Sequence, residues 1–159
     1  MEIMKKILIY GGSGYLGSAL EKQISQNSFI YSISRKKNLL KKNKYKYKNI
    51  KYLNDELDKR KIEKVIGEVD LLIFANGPNA EICKKKKIFF DYIKYFNQEI
   101  VKIKKIKKKN SKIIYLSSIH VYSNTSKRKS GAEDLLFSNN HYGIKNILCE
   151  NILLNNFIN

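Results

Sequence analysis

The chain has 159 residues and a formal charge of +18, from 32 Lys and Arg against 14 Asp and Glu. This length fits one domain, and 43% apolar residues with 11 Tyr and 7 Phe supply a core and exclude wholesale disorder. No apolar run approaches the roughly 20 residues of a membrane helix, and Cys83 and Cys149 with His120 and His141 make neither a disulfide framework nor a zinc site, so the expectation is a cytoplasmic protein without membrane or metal.

Lys5–Tyr10 (KKILIY) is a short apolar run stopped by glycine, the pattern of a buried strand. Gly11–Gly17 (GGSGYLG) is a glycine-rich turn, and Leu16, Ala19, Leu20 and Ile24 then recur at helical spacing to about Gln26. Phe29–Ser34 reads as a second strand. Arg35–Lys51 holds nine basic residues and no acid, and ends in a weak strand near Ile50–Leu53. Leu57, Ile62, Val65 and Ile66 form a helical stripe ending at Gly67, and Val69–Asn76 (VDLLIFAN) is a strong strand stopped by Gly77-Pro78. Phe89, Ile93, Phe96, Ile100, Ile103 and Ile106 predict a long helix over 88–109, with the Lys104–Lys109 run at its C-terminal end, where cations meet the negative end of the helix dipole. Lys112–Ser117 is another strand, residues 123–140 a polar loop, and 142–157 a last helix carrying Ile144, Ile147, Leu148 and Ile152. Strands alternating with helices predict a single α/β domain over 1–159: a doubly wound parallel sheet of about five strands in the order 3-2-1-4-5.

Three Arg against 29 Lys is a poor composition for a nucleic-acid surface, which draws on the planar fork of arginine. Tyr45, Tyr47 and Tyr52 beside the basic stretch are candidate stacking groups, but no nucleic-acid motif accompanies them, and that reading is set aside.

Gly11, Gly14 and Gly17 follow a strand and open a helix, with Gly12 adding a literal G-x-G-x-x-G. A pyrophosphate needs close backbone approach and free N–H groups at a helix N-terminus, which this context supplies. The second strand ends in Ser34-Arg35-Lys36, and no acid lies between Ile30 and Asn54 to accept the ribose hydroxyls of NAD. Arg35 and Lys36 suit the 2′-phosphate of NADP, so NADP is preferred over NAD.

From about Lys5 to Glu150 the chain resembles the extended short-chain dehydrogenase/reductase family, the NAD(P)-dependent nucleotide-sugar epimerases, dehydratases and reductases. Gly11-Gly12-Ser13-Gly14-Tyr15-Leu16-Gly17 resembles its G-x-x-G-x-x-G cofactor turn, with Gly11, Gly14, Tyr15, Leu16 and Gly17 against the cofactor. Asn54-Asp55 stands where the family often carries an acid near the adenine. Asp70–Pro78 resembles the strand and small-residue loop under the cofactor, so Ala75, Asn76 and Gly77 join the expected binding residues. Asn97, Ser117-Ser118-Ile119-His120-Val121-Tyr122 and Tyr142-Gly143 with Glu150 resemble the family's catalytic segments. By that resemblance Ser118, Tyr142, Lys145 and Asn97 are the expected catalytic residues.

The family's tyrosine is activated by a lysine four residues later, because a free phenol has a pKa near ~10 and needs a cation to lower it. Here Asn146 holds that place, where it could bond a ribose, and Lys145 comes one residue early, a rotation of about 100° on a regular helix. His141 and Lys145 have the family spacing in an alternative register, which Tyr142-Gly143 and Glu150 disfavour. Family members also continue well beyond this helix, so the resemblance implies a cofactor half-site without its substrate half and an outermost strand, Lys112–Ser117, left as an exposed edge. The expectation is a truncated or short family member that binds dinucleotide, with slow turnover of a nucleotide sugar. The alternative is a non-catalytic dinucleotide-binding or sensing domain, or a half-enzyme completed by another chain. The resemblance further implies a homodimer through the helices 88–109 and 142–157.

Overall fold

The computed structural model describes residues 4–35, 48–122 and 134–158. Lys36, Tyr45 and Tyr47, named above as candidate contacts, lie outside the described residues, as does most of the loop after Tyr122. The chain divides into two compact units: Met1–Asn76 with Ile106–Leu116, and Gly77–Lys105 with Ser117–Asn159.

The first unit is built on five parallel strands: β1 (Lys5–Tyr10), β2 (Ser28–Ser34), β3 (Ile50–Asn54), β4 (Leu71–Phe74) and β5 (Lys112–Tyr115), in the order β3-β2-β1-β4-β5. This is the predicted order. β1 lies at the centre and buries its last four residues, as a strand covered on both faces must. In register, Ile7 faces Ile30 and Leu71, and Ile30 faces Ile50. Side chains alternate across the sheet, so Ile7, Ile9, Ile30, Ile50 and Ile73 gather on one face. Leu20 and Ile24 of helix α1 (Tyr15–Ile24) pack against them. On the opposite face Tyr10 and Phe74 stack with ring centroids 4.7 Å apart.

Polar ties hold the strand starts. Asp70 accepts the backbone N–H of Lys6 at 3.0 Å and pairs with Lys108 Nζ at 2.7 Å. Those two donors, Lys108 first, hold its carboxyl below the usual range. Ser111 donates its hydroxyl to the carbonyl of Val69 at 2.6 Å. At the far edge Ile114 is 45% exposed, so β5 is the open margin of the sheet among the described residues.

Helix α2 (Lys59–Ile66) buries Ile62, Val65 and Ile66 as its stripe predicted, but Leu57 lies outside the helix and is exposed. The reason is local. Asn54 Oδ1 accepts the N–H groups of Glu56 and Leu57, and Asp58 Oδ2 accepts that of Asn54, which closes a turn before the helix can begin. That N–H, followed by Lys61, lowers the pKa of Asp58.

In the second unit, α3 (Ala80–Cys83) is a short helix the periodicity did not predict, capped by Asn79 Oδ1, which accepts the N–H of Ile82. α4 (Lys86–Ile106) ends its 21 residues in the first unit and buries Phe89, Tyr92, Phe96, Ile100 and Ile103. Tyr92 is buried in that stripe, while the expected Ile93 is half-buried at its side. A 3-10 turn (Ile119–Val121) and α5 (His141–Phe157) complete the unit; Asn140 Oδ1 caps α5 on the N–H of Gly143 at 2.8 Å.

Ile9 is fully buried at the middle of the sheet. Ile9→Ala should cost about 2–5 kcal/mol from lost burial and the cavity left behind. Urea unfolding followed by circular dichroism checks this, and a loss below about 1 kcal/mol would contradict the packing described.

Candidate functional site

The glycine turn sits at the C-terminal end of β1, and its geometry follows from backbone crowding. Gly11 adopts φ 86°, donates its N–H to the carbonyl of Ile33 at 3.0 Å and accepts that of Gly14 at 2.9 Å. A side chain at Gly11 would meet Ala75 O and Asn76 Cα at 2.9 Å. At Gly17 a Cβ would run into the carbonyl of Gly11 and come within 2.7 Å of Gly12 Cα. The first turn of α1 therefore lies directly against the loop, and only glycine permits it. Gly14 is the N-cap and supplies no side-chain cap, so the helix opens without a side chain accepting its first N–H groups. Tyr15 and Leu16 are exposed beside it.

Around this turn the first unit places several of the expected contacts. Ser13 and Ser34 share a hydroxyl hydrogen bond of 2.6 Å. Arg35 is exposed just past β2, and its carbonyl accepts from Asn54 Nδ2 at 3.5 Å. Asp55 is half-buried beyond β3, its N–H on the carbonyl of Ser34. Ala75 donates its N–H to Tyr10, which brings Ala75 and Asn76 to the end of β4 beside Gly11.

The second unit gathers a different set. Ser118 caps the 3-10 turn: its Oγ accepts the N–H of His120 and lies 3.0 Å from His120 Nδ1. The His120 ring stands edge-on to Tyr142 with centroids 5.5 Å apart. Lys145 is 3% exposed, and its Nζ lies over two rings, 4.8 Å from the centroid of Tyr142 and 5.7 Å from that of Tyr92. A Cβ at Gly77 would come within 3.1 Å of the Tyr92 hydroxyl and 3.3 Å of Lys145 Nζ. Burial pushes the pKa of Lys145 down, and the neighbouring Cys149 and Cys83 oppose that in part. The thiol of Cys83 is itself pushed up by burial. Asn146 is also buried, and its amide donates to the carbonyl of Tyr142 at 3.0 Å, one turn back. Ser117 Oγ donates to Glu150 Oε1 on α5. Ser118, Tyr142 and Lys145 are thus gathered together. Asn97 is exposed on α4, and among the described residues no hydrogen bond joins it to Ser118 or Tyr142.

Two members of this cluster, His120 and Tyr92, were not among the expected site residues. Tyr92 had one signal available, its place one turn before Phe96 on the buried stripe. Among the described residues there is no group of three or more potential metal ligands and no helix long and apolar enough to cross a membrane.

Residues 7–156 match the model of the NAD dependent epimerase/dehydratase family. The chain belongs to that family. Its fold is also that of several solved nucleotide-sugar epimerases. UDP-N-acetylglucosamine 4-epimerase from Methanobrevibacter ruminantium M1, solved with UDP-N-acetylmuramic acid, superposes with a TM-score of 0.78 at 16% identity, over 97% of this chain and 51% of that one. UDP-N-acetylglucosamine 4-epimerase from Bacillus cereus gives 0.72 at 18% identity, over 94% and 53%. UDP-glucuronic acid 4-epimerase from the same organism, in complex with NAD, gives 0.69 at 21% identity, over 96% and 52%. The chain spans about half the length of these structures. None of the curated proteins matches the sequence.

The buried amine yields a stability prediction. The native pKa of Lys145 lies below its unfolded value, so the unfolded state binds more protons in between. Stability should therefore rise with pH from the lowered native value toward the ordinary lysine pKa of ~10.4. Lys145→Met removes the ionisation and should flatten that rise, which is read by comparing urea unfolding of the two proteins at pH 7 and pH 9.5. Parallel pH profiles would contradict it.

Proposed function

We propose that this chain is a dinucleotide-binding domain of the nucleotide-sugar epimerase type, holding NAD or NADP at the glycine turn and presenting Ser118, Tyr142 and Lys145 to a sugar hydroxyl. The single observation that carries the reading is the turn at Gly11–Gly17, where a Cβ on Gly11 or Gly17 would collide with neighbouring backbone, so that only glycine lets the loop and the first turn of α1 close together, and α1 opens with no side-chain cap. Gly11, Gly14, Tyr15, Leu16 and Gly17 would line the pyrophosphate, Asp55 the adenosine end, and Ala75, Asn76 and Gly77 the floor. Arg35, exposed where a 2′-phosphate would arrive, supports NADP, while solved relatives hold NAD. When bound, the nicotinamide supplies a hydride acceptor.

The chain's own groups handle the proton. Tyr142 accepts it from the sugar hydroxyl, and Ser118 orients that hydroxyl. Lys145 is the cation at the Tyr142 ring, and burial disfavours its charged form. Asn146 spends its amide on a backbone carbonyl, not on a charge. This activation is weaker than an ammonium four residues after the tyrosine would provide, so turnover of a nucleotide sugar by this chain is slow. The exposed apolar residues Ile88, Phe90 and Val101 on α4 and Leu148 and Leu154 on α5 support a homodimer through these two helices.

Titration calorimetry with NADH and NADPH tests the binding. Saturable heat is expected with both, and Arg35→Ala should remove any advantage of NADPH. Folded protein that gives no heat with either removes the proposal. In single-turnover reduction of NAD by UDP-sugars, Tyr142→Phe should lower the rate by about 10²–10⁴-fold with cofactor binding intact. An unchanged rate would take the base role from Tyr142.

A further inference from the structure

Helix α1 carries one residue out of character with its buried face. Glu21 is 2% exposed, below the glycine turn and over β2 and β3. Its Oε1 is fully buried and makes no hydrogen bond, and neither does the buried Oγ of Ser32 beside it. Both atoms stand where a Cβ on Gly12 would go, which puts the carboxyl directly beneath the backbone of the turn. The other carboxyl oxygen accepts the hydroxyl of Tyr52 at 3.3 Å. Ser32 and Tyr52 are register partners on β2 and β3, so the two strands set these groups side by side.

A carboxylate offers about four lone-pair sites, and one hydroxyl donates to it here. A neutral carboxyl has less to satisfy and tolerates burial far better. Among the described residues, the groups facing it from β2 and β3 are the Ser32 and Tyr52 hydroxyls, and from the turn the Gly12 backbone. Burial is the largest influence and raises the pKa of Glu21, with the two hydroxyls opposing it.

We propose that Glu21 makes phosphate binding at the glycine turn proton-linked: the carboxyl stays neutral beneath Gly12 when a dinucleotide is held, and its ionisation weakens that hold. The proposal rests on the dinucleotide reading above. A negative charge at Glu21 opposes the same anion that the N-terminus of α1 attracts. Binding therefore favours the neutral acid, so the complex takes up a proton wherever the free protein has lost one. Affinity is full at low pH and declines as pH rises through the raised pKa. The stability of the free protein follows the same sign.

The test is calorimetric titration of the full chain with NAD at pH 6 and pH 9, each in two buffers of different ionisation enthalpy. The expected result for the wild type is an affinity at least about fivefold lower at pH 9, with proton uptake in the intervening range. Glu21→Gln should keep one affinity throughout and take up no proton. Its urea unfolding should also lose the decline in stability with rising pH that the wild type shows. Equal pH slopes in the two proteins, or a wild type that binds without proton uptake, overturn the linkage and leave dinucleotide binding standing. Folded wild type with no saturable heat at either pH overturns both. If Glu21→Gln does not fold, the buffer comparison on the wild type decides alone.

Discussion

Everything in the first unit is organised by one close approach: the first turn of α1 pressed against the loop that ends β1. The carbonyl of Gly11 lies where a Cβ of Gly17 would be, and Gly11 itself turns through a positive φ with Ala75 and Asn76 against it. Moving the helix outward by the width of a methyl group would lift Leu20 and Ile24 from the isoleucine face below. The same turn leaves the helix N-terminus without a side-chain cap. The packing of α1 and the dinucleotide site proposed above thus rest on one steric fact. A ligand arriving there replaces water at groups the fold has already oriented.

The second unit solves a different problem with a crowded interior. Lys145 is buried among Tyr142, Tyr92 and two thiols, an environment that stabilises an amine without demanding that it carry charge. Ring faces attract an ammonium but hydrate it poorly, so burial works against the charge that the rings favour. Tyr142 is also flanked edge-on by His120, whose ring is steadied by Ser118. The phenol is therefore bracketed by two nitrogen groups from different elements. That bracket needs no lysine at the next helical position, where Asn146 steadies the backbone of α5 instead.

Strand order and the glycine turn were legible because each has a pattern with a single physical cause. Apolar runs bounded by glycine mark buried parallel strands, and three glycines between strand and helix mark a turn where loop and helix backbones touch. The helix α3 was not legible, since four residues hold no period, and only Asn79 announced it. Leu57 misled because its spacing was helical while Asn54 and Asp58 were already committed to a turn. The cluster around Tyr142 was legible in its members but not in its geometry. Spacing along a helix says which residues share a face. It does not say that a long lysine side chain bends back over a ring three residues earlier, or that Tyr92 arrives from another helix. Glu21 was passed over because a charged residue in an amphipathic helix is ordinarily on the wet side.

The open margin at β5 carries a consequence for how this protein behaves in concentrated solution. A strand at the edge of the sheet with Ile114 exposed is a template for pairing with another chain, and such edges are commonly defended by charge. Here the defence is collective: the formal +18 opposes edge-to-edge approach of copies, with Lys112 at the start of the edge itself. Such repulsion acts over about 10 Å at 0.1 M salt and only about 3 Å at 1 M. Colloidal stability is then a property of the solvent as much as of the fold. Added salt removes the barrier while strengthening apolar association, so this chain should be most soluble where its lysines are least screened.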